Sequence, residues 1–259
     1  MTPSIAPLRN VAALMSLVDR VQSRTFGLPG MATFYGPSGW GKTTAVTLAE
    51  NRFQAVCVQI KSVWTPTYLG QAILREMGLP EVRGVAAMVD AIGAQLARTD
   101  RPLIIDDAQY ALRRSQMIEM TRDIYESSQA PVILVGEEKL PQSLTRWENV
   151  HNRMLAWEAA LPCNRSDADK LAPIYCAGIE VDGRLLDAIV DASCGSIRRV
   201  ATNLARVQEL ARARGLSNAD LALWGDRAFQ TGQPPAVRKV GDIRGSGDVV
   251  PMGRREAQG

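Results

Sequence analysis

The apolar positions of this chain change their spacing several times along its length, and each change marks a new element. From Leu8 to Arg24, the residues Val11, Leu14, Leu17, Val18 and Val21 recur at three- and four-residue steps. That spacing predicts an amphipathic helix, which Gly27-Leu28-Pro29-Gly30 ends. Short apolar runs follow at Met31–Tyr35, Ala55–Ile60, Leu103–Ile105 and Pro131–Gly136, with a further strand candidate at Met154–Leu161. Helical stretches separate them at Thr44–Glu50, Tyr68–Met77, Gly84–Arg98 and Gln116–Glu126. Runs that are apolar throughout, rather than alternating, are expected of parallel strands covered on both faces. The pattern therefore predicts an α/β fold in which a parallel five-stranded sheet is flanked by helices. Polar residues that follow the strands should gather at the carboxyl edge of such a sheet.

Past Pro162 the pattern becomes helical only. Ser166-Asp167-Ala168-Asp169 reads as a capping-box-like start. Leu185–Ala192 and Ser196–Arg214 read as helices, the second with Ile197, Val200, Leu204, Val207 and Ala211 on one face. Ser217–Asp220 starts another. From Thr231 onward large apolar residues are scarce and Gly, Pro and charge dominate, as expected of a mobile tail. The expected organisation is an α/β unit over residues 1–162, a small helical unit over 163–230 and a tail over 231–259.

Composition narrows the class. The 259 residues are 46% hydrophobic and 22% charged, ordinary for a globular chain with a sizeable core. The net charge of +3 is compatible with nucleic acid without being diagnostic of it. Cys57, Cys163, Cys176 and Cys194 form no C-x-x-C pair, so they read as buried small hydrophobes in a reducing compartment. His151 stands alone, which argues against a histidine-based metal site or triad. No apolar run reaches the roughly 18 residues of a membrane span. The N-terminus lacks a signal-peptide core. A soluble, cytoplasmic protein without a membrane partner is expected.

The chemistry begins directly after the first strand. Gly36-Pro37-Ser38-Gly39-Trp40-Gly41-Lys42-Thr43-Thr44 fits G-x-x-x-x-G-K-[ST], a loop that wraps nucleotide phosphates between a strand and a helix. The helix start leaves backbone N–H groups unpaired and carries partial positive charge, so it favours an anion. Glycines let the backbone close round the phosphates. Lys42 would reach the β- and γ-phosphates of ATP, and the Thr43 hydroxyl would bind Mg²⁺. A second signature, Pro102-Leu103-Ile104-Ile105-Asp106-Asp107-Ala108, places a carboxylate at the sheet edge beside the phosphates. Asp106 is the expected Mg²⁺ partner, and Asp107 the candidate to orient and deprotonate the attacking water.

These two signatures, with Gly136-Glu137 after the fourth strand and Gly195-Ser196-Ile197-Arg198-Arg199 in the C-terminal helices, resemble the AAA+ ATPases. The resemblance covers roughly residues 8–228. It implies a P-loop AAA+ core with a helical lid, whose second-sensor arginine would be Arg198, with Arg199 as the alternative. It also implies a trans-acting arginine finger near Asn152-Arg153-Met154, where Arg153 would reach the γ-phosphate in a neighbouring subunit and Arg146 is the competitor. Two positions depart from the family pattern. The second acid is Asp107 rather than glutamate, and Glu137 occupies the first-sensor position usually held by Asn, Thr or Ser. Both departures point to slow hydrolysis, suited to a timer or switch.

Within the family, the short lid and the Asp106-Asp107-Ala108-Gln109 turn look like the ATPases of DNA transposition, a group that includes the B protein of Mu-like phages. That resemblance implies an ATP-driven filament on duplex DNA, which presents the DNA to a transposase and is disassembled by hydrolysis. Lys61 and Thr65, in the loop after the second strand, and Arg113 and Arg114, after the second signature, are the candidate DNA-phosphate contacts. Trp64 is expected to pack rather than to stack on a base. Arg238, Lys239, Arg244, Arg254 and Arg255 give the tail a basic surplus that would suit DNA or a transposase. A helicase loader or insertion-sequence helper of the same fold is the nearest alternative. A metabolic P-loop kinase is a more distant one, and the absence of an N-K-x-D motif argues against a GTPase.

Overall fold

Each predicted strand forms, and the sequence of elements follows from the apolar spacing. The computed structural model describes residues 8–233. Helix α1 (Arg9–Gln22) leads into β1 (Met31–Tyr35), α2 (Lys42–Phe53), β2 (Val56–Gln59), α3 (Pro66–Glu76) and α4 (Val85–Thr99). Next come β3 (Leu103–Asp106), a 3₁₀ turn at Ala108–Arg113, α5 (Ser115–Ser128) and β4 (Val132–Gly136). Two short helices, α6 (Leu140–Leu144) and α7 (Glu148–His151), precede β5 (Met154–Ala159). The remainder comprises α8 (Arg165–Tyr175), β6 (Glu180–Val181), α9 (Gly183–Ser193), α10 (Ile197–Ala213), β7 (Asn218–Ala219) and α11 (Leu221–Trp224).

The five main strands are all parallel, in the order β2-β3-β4-β1-β5. Both faces are covered, which explains why these strands carry no polar face. Successive side chains still alternate in direction, so each strand feeds two cores. Ala32, Phe34, Ile104, Ile133 and Val135 point to α1 and α2. Met31, Val56, Val58, Leu103, Ile105, Val132 and Leu134 point to α3, α4 and α5. The first of these cores runs on without a break into the C-terminal helices through Leu171, Leu185, Ile189, Val200, Leu204 and Trp224.

Three local expectations are corrected. Helix α8 starts at Arg165 rather than at Ser166, because Asn164 is the cap: it accepts from Asp167 N at 3.0 Å, while the Asp167 carboxylate accepts from Asn164 N at 3.4 Å. That reciprocal box satisfies two otherwise orphaned N–H groups. The C-terminal part is not purely helical, since Glu180 and Val181 pair in parallel with Asn218 and Ala219. Ser217–Asp220 therefore enters a strand first, and Asp220 then caps the four-residue α11 through Leu223 N at 2.8 Å. The tail expected beyond Thr231 lies almost wholly outside the described residues, as do its basic side chains.

One buried polar residue ties separate regions together. Asn10 on α1 is 3% exposed. Its Nδ2 donates to the carbonyls of Trp40 and Leu161, both at 2.8 Å, and its Oδ1 accepts from Leu161 N at 2.7 Å. One carboxamide thus joins α1, the loop before α2 and the chain leaving β5. Arg9 adds a neighbouring link, donating from its backbone N and its Nε to the buried Asp167 carboxylate at 3.0 and 3.1 Å. Substituting Asn10→Ala strands three backbone groups away from water. It is expected to lower unfolding free energy by about 2–3 kcal/mol. Urea denaturation followed by circular dichroism measures this; an unchanged midpoint would show that the carboxamide carries no weight.

Candidate active site

The carboxyl ends of β1, β3 and β4 converge on one cleft. Strand β1 runs into the loop at Gly36, whose N–H donates to the Gly136 carbonyl at 3.2 Å and so holds the loop against the end of β4. The loop closes at Gly41, which caps α2 in the left-handed region at φ 82°. A side chain is excluded there, since a Cβ would come within 2.7 Å of Ile197 Cδ1. No side chain caps α2, so the N–H groups of its first turn are left for an anion. Lys42 Nζ folds back over the loop and donates to the carbonyls of Gly36 at 2.6 Å and Pro37 at 2.9 Å. Burial lowers the Lys42 pKa, against the opposing pull of Asp106, Asp107, Glu137 and Glu138.

Asp106 ends β3 and is 3% exposed. Thr43 Oγ1 donates to its Oδ2 at 2.8 Å, and Asp107 N donates to its Oδ1 at 2.8 Å. Desolvation raises the Asp106 pKa, while these two hydrogen bonds and Lys42 work to lower it. Thr43 and Asp106, distant in sequence, thus offer a hydroxyl and a carboxylate oxygen side by side. That pair suits Mg²⁺, which takes one or two protein oxygens and fills its octahedron with water and phosphate. No cluster of three or more His, Cys, Asp or Glu exists among the described residues to form an all-protein metal cage.

Asp107 follows in the left-handed region at φ 54° and lines the cleft. Each of its carboxylate oxygens accepts from a side-chain amide: Oδ2 from Gln59 Nε2 at 2.8 Å and Oδ1 from Gln109 Nε2 at 3.0 Å. Gln59 ends β2 directly beside Asp106 in the strand register. Sequence reasoning overlooked Gln59; its signal is a polar residue closing an otherwise apolar strand at the sheet edge.

The C-terminal helices complete the cleft, which encloses about 640 Å³. Ser196 caps α10 and donates from Oγ to the Gly39 carbonyl at 3.4 Å, and Arg198 N donates to the same oxygen at 3.1 Å. Arg198 lines the cleft together with Ser38, Thr44, Glu137, Tyr175 and Thr202. Arg199 turns away, reaching the Ser193 carbonyl at 3.5 Å and lying against Gly232. Trp40 also points away from the cleft: Asn10 holds its carbonyl, and its ring packs so closely on Gly195 that a Cβ there would come within 3.1 Å. Tyr175 and Thr202 are further cleft residues that sequence reasoning did not identify.

The other candidates lie elsewhere. Arg153 precedes β5 and therefore sits at the amino edge of the sheet, opposite the cleft, where its carbonyl accepts from Met31 N at 2.9 Å. Its guanidinium pairs with Glu126, so it does not reach the cleft of its own chain. Arg146 is exposed between α6 and α7 and forms no ion pair among the described residues. Lys61, Arg113 and Arg114 are exposed beyond the carboxyl ends of β2 and β3. The Arg113 guanidinium lies 4.7 Å from the Tyr110 ring centroid. Thr65 caps α3, accepting from Tyr68 N at 3.2 Å, so its oxygen already has a structural use. Trp64 packs against the Tyr68 ring at 4.8 Å and against the α3–α5 core, as expected.

Comparison with known proteins places this geometry. No curated protein matches the sequence. The structure is similar to Orc1 from Aeropyrum pernix in complex with DNA, at TM-score 0.57 and 19% identity, covering 81% of this chain and 61% of that one. It is similar to Cdc6p from Pyrobaculum aerophilum at TM-score 0.60 and 17% identity, covering 85% and 66%. It is also similar to the RuvB Holliday junction branch migration motor of Thermotoga maritima at TM-score 0.58 and 17% identity, covering 84% and 67%. The chain thus spans 61–67% of the length of these structures, and identities this low speak for the fold alone. Residues 27–144, which hold the phosphate loop, both acids and Glu137, match the family model of the AAA domain. The α/β fold, with its five-stranded parallel sheet flanked by helices, matches the AAA+ P-loop core.

Proposed function

We propose that this protein is a DNA-binding ATPase that oligomerises on DNA in its ATP state, without marked sequence preference, and delivers that DNA to a transposase. The observation that carries the nucleotide half is the meeting of Lys42, Thr43 and Asp106 at the start of α2, which no side chain caps. Residues 36–44 would wrap the phosphates, with Lys42 turning from its loop carbonyls to the β- and γ-oxygens. Thr43 and Asp106 would hold Mg²⁺, which neutralises charge on those phosphates. Asp107 would align a water, take its proton as its oxygen bonds to the γ-phosphorus, and so release ADP as the bridging P–O bond breaks. Arg198 would contact the phosphates from the C-terminal helices, residues 163–230 acting as a lid. Glu137 adds negative charge near the γ-phosphate, and Asp107 is one methylene shorter than glutamate. Both features favour slow turnover that a partner accelerates.

The position of Arg153 supports an assembly. A cation at the edge opposite the cleft, unable to serve its own site, is suitably placed to serve a neighbour's. Head-to-tail contacts of this kind build rings or open filaments. Lys61, Arg113 and Arg114 support the DNA half. They are exposed, share one edge and make no salt bridge among the described residues. The similar Orc1 structure contains DNA, and the similar RuvB acts on Holliday junctions, which favours DNA as the polymer. Contacts of this type read phosphate rather than bases, so binding should fall steeply with salt. The transposase partner rests on the turn at Asp106–Gln109 and the compact C-terminal helices, the features that resemble the transposition ATPases.

Negative-stain microscopy with duplex DNA tests the whole reading. Long assemblies are expected with ATP but not with ADP, and none with Lys42→Ala. Monomers or dimers under every condition would overturn it, and a short closed oligomer that seats on a hexameric helicase would favour the loader instead. Asp107→Asn is expected to retain ATP binding, lower turnover by about 100-fold or more and lengthen the life of the assemblies. Phosphate-release assays decide this, and undiminished turnover would remove Asp107 from its role. Arg153→Ala is expected to lower turnover about 1000-fold with nucleotide affinity intact. Turnover per chain equal to wild type at every protein concentration would eliminate the finger.

A further inference from the structure

Gln109 links two parts of the cleft that the backbone does not join. It sits in the 3₁₀ turn after β3, outside the cleft wall. Its Nε2 donates to Asp107 Oδ1 at 3.0 Å, and its Oε1 accepts from Glu137 N at 3.3 Å. Those two contacts fix the polarity of the carboxamide. Reversing it would set the NH₂ against the Glu137 N–H and the oxygen against a carboxylate, two repulsive pairs in place of two hydrogen bonds. The path between the ends is kept open by Gly136, where a Cβ would come within 2.8 Å of Gln109 Oε1. Gln59 at the end of β2 grips the other Asp107 oxygen at 2.8 Å, so Gln109 alone ties the acid to the turn after β4. Asp107 has a left-handed backbone outside any strand or helix, so no regular ladder orients its side chain.

We propose that Gln109 is a positioning residue for the acid of the cleft: a strut that sets the direction of the Asp107 carboxylate from the turn between β4 and α6. This rests on the reading of the cleft as an ATPase site with Asp107 as its proton acceptor. The strut makes the aim of Asp107 depend on the place of the Glu137 turn, which itself lines the cleft. A movement of that turn on binding of the γ-phosphate would pass through a single carboxamide to the acid. The effect acts on the chemical step, not on nucleotide affinity, because Gln109 lies behind Asp107 and not on the cleft wall.

The test is single-turnover hydrolysis of radiolabelled ATP by the full chain, with binding of a fluorescent ATP analogue measured in parallel. Gln109→Glu keeps the length and the acceptor for Glu137 N–H but removes the donor to Asp107. It is expected to slow hydrolysis about tenfold or more, with analogue affinity unchanged within about twofold. In the Asp107→Asn background the same substitution should change the rate by less than about twofold, since the strut then has no acid to aim. Gln109→Met, which carries no added charge, should show the same dependence on background and serves if Gln109→Glu lowers the melting temperature. Wild-type rates for both variants, or equal losses in the two backgrounds, overturn the strut alone. An Asp107→Asn chain as fast as wild type overturns the assignment of the acid, and the strut with it. A wild-type chain that hydrolyses no ATP, with or without DNA, overturns the ATPase reading on which both rest.

Discussion

Burial of a parallel sheet on both faces is the constraint from which the rest of this molecule follows. Strands β1, β3 and β4 have no solvent-facing side, so their side chains are spent on two apolar cores. Polar chemistry is left only the strand ends. The connections that return the chain for the next parallel strand run over the faces, and the loops that begin them emerge together at the carboxyl edge. The phosphate loop, Asp106, Asp107 and Glu137 are neighbours for that reason, although they come from three separate strands. The same logic sends Arg153 to the opposite edge, because it precedes a strand instead of following one.

The phosphate loop is held from several directions before any ligand arrives. Asn10 grips the Trp40 carbonyl, Gly36 is bonded to the end of β4, and Ser196 and the Arg198 N–H both reach the Gly39 carbonyl. An anion that enters this site need not order the backbone round it, so less of its binding free energy is lost to conformational entropy. The tethers also connect distant parts of the chain. The C-terminal helices touch the loop itself, and their core is continuous with the α1–α2 face of the sheet. Displacement of α10 must therefore be felt at Gly39.

Charge in the cleft is balanced rather than neutralised pair by pair. Lys42 faces a field of carboxylates, Asp106 and Asp107 acting most strongly, while burial pushes its pKa down and that of Asp106 up. A polyanionic ligand with a divalent cation would alter every term of that balance, since the cation would be the largest local charge. Asp107 is restrained differently, by two neutral amides that can let go without leaving a buried charge unpaired.

Local chemistry made much of this legible in the sequence. Three- and four-residue apolar spacing located α1 and α10 and continuous runs located the strands. The glycines with Lys42 and Thr43 marked a loop between a strand and a helix, which is where the structure puts them. The apolar run ending in Asp106 placed that acid at the carboxyl edge of the sheet by the same reasoning. Periodicity could not choose between Arg198 and Arg199, which occupy adjacent positions at a helix start; the packing of α10 on Gly39 turns one to the cleft and the other to Ser193. Nor could it find Gln59, Gln109 or Asn10, whose partners lie on other elements. It placed the α8 cap two residues late and missed the β6–β7 pair, where a cap bond and a ladder with a distant segment outweighed helix signals. Sequence alone determined where the strands end and which polar side chains follow them, since that depends on side-chain type and near neighbours. Only the tertiary structure decided which of them face one another, because a hydrogen bond between remote segments is set by how the sheet brings its strand ends together.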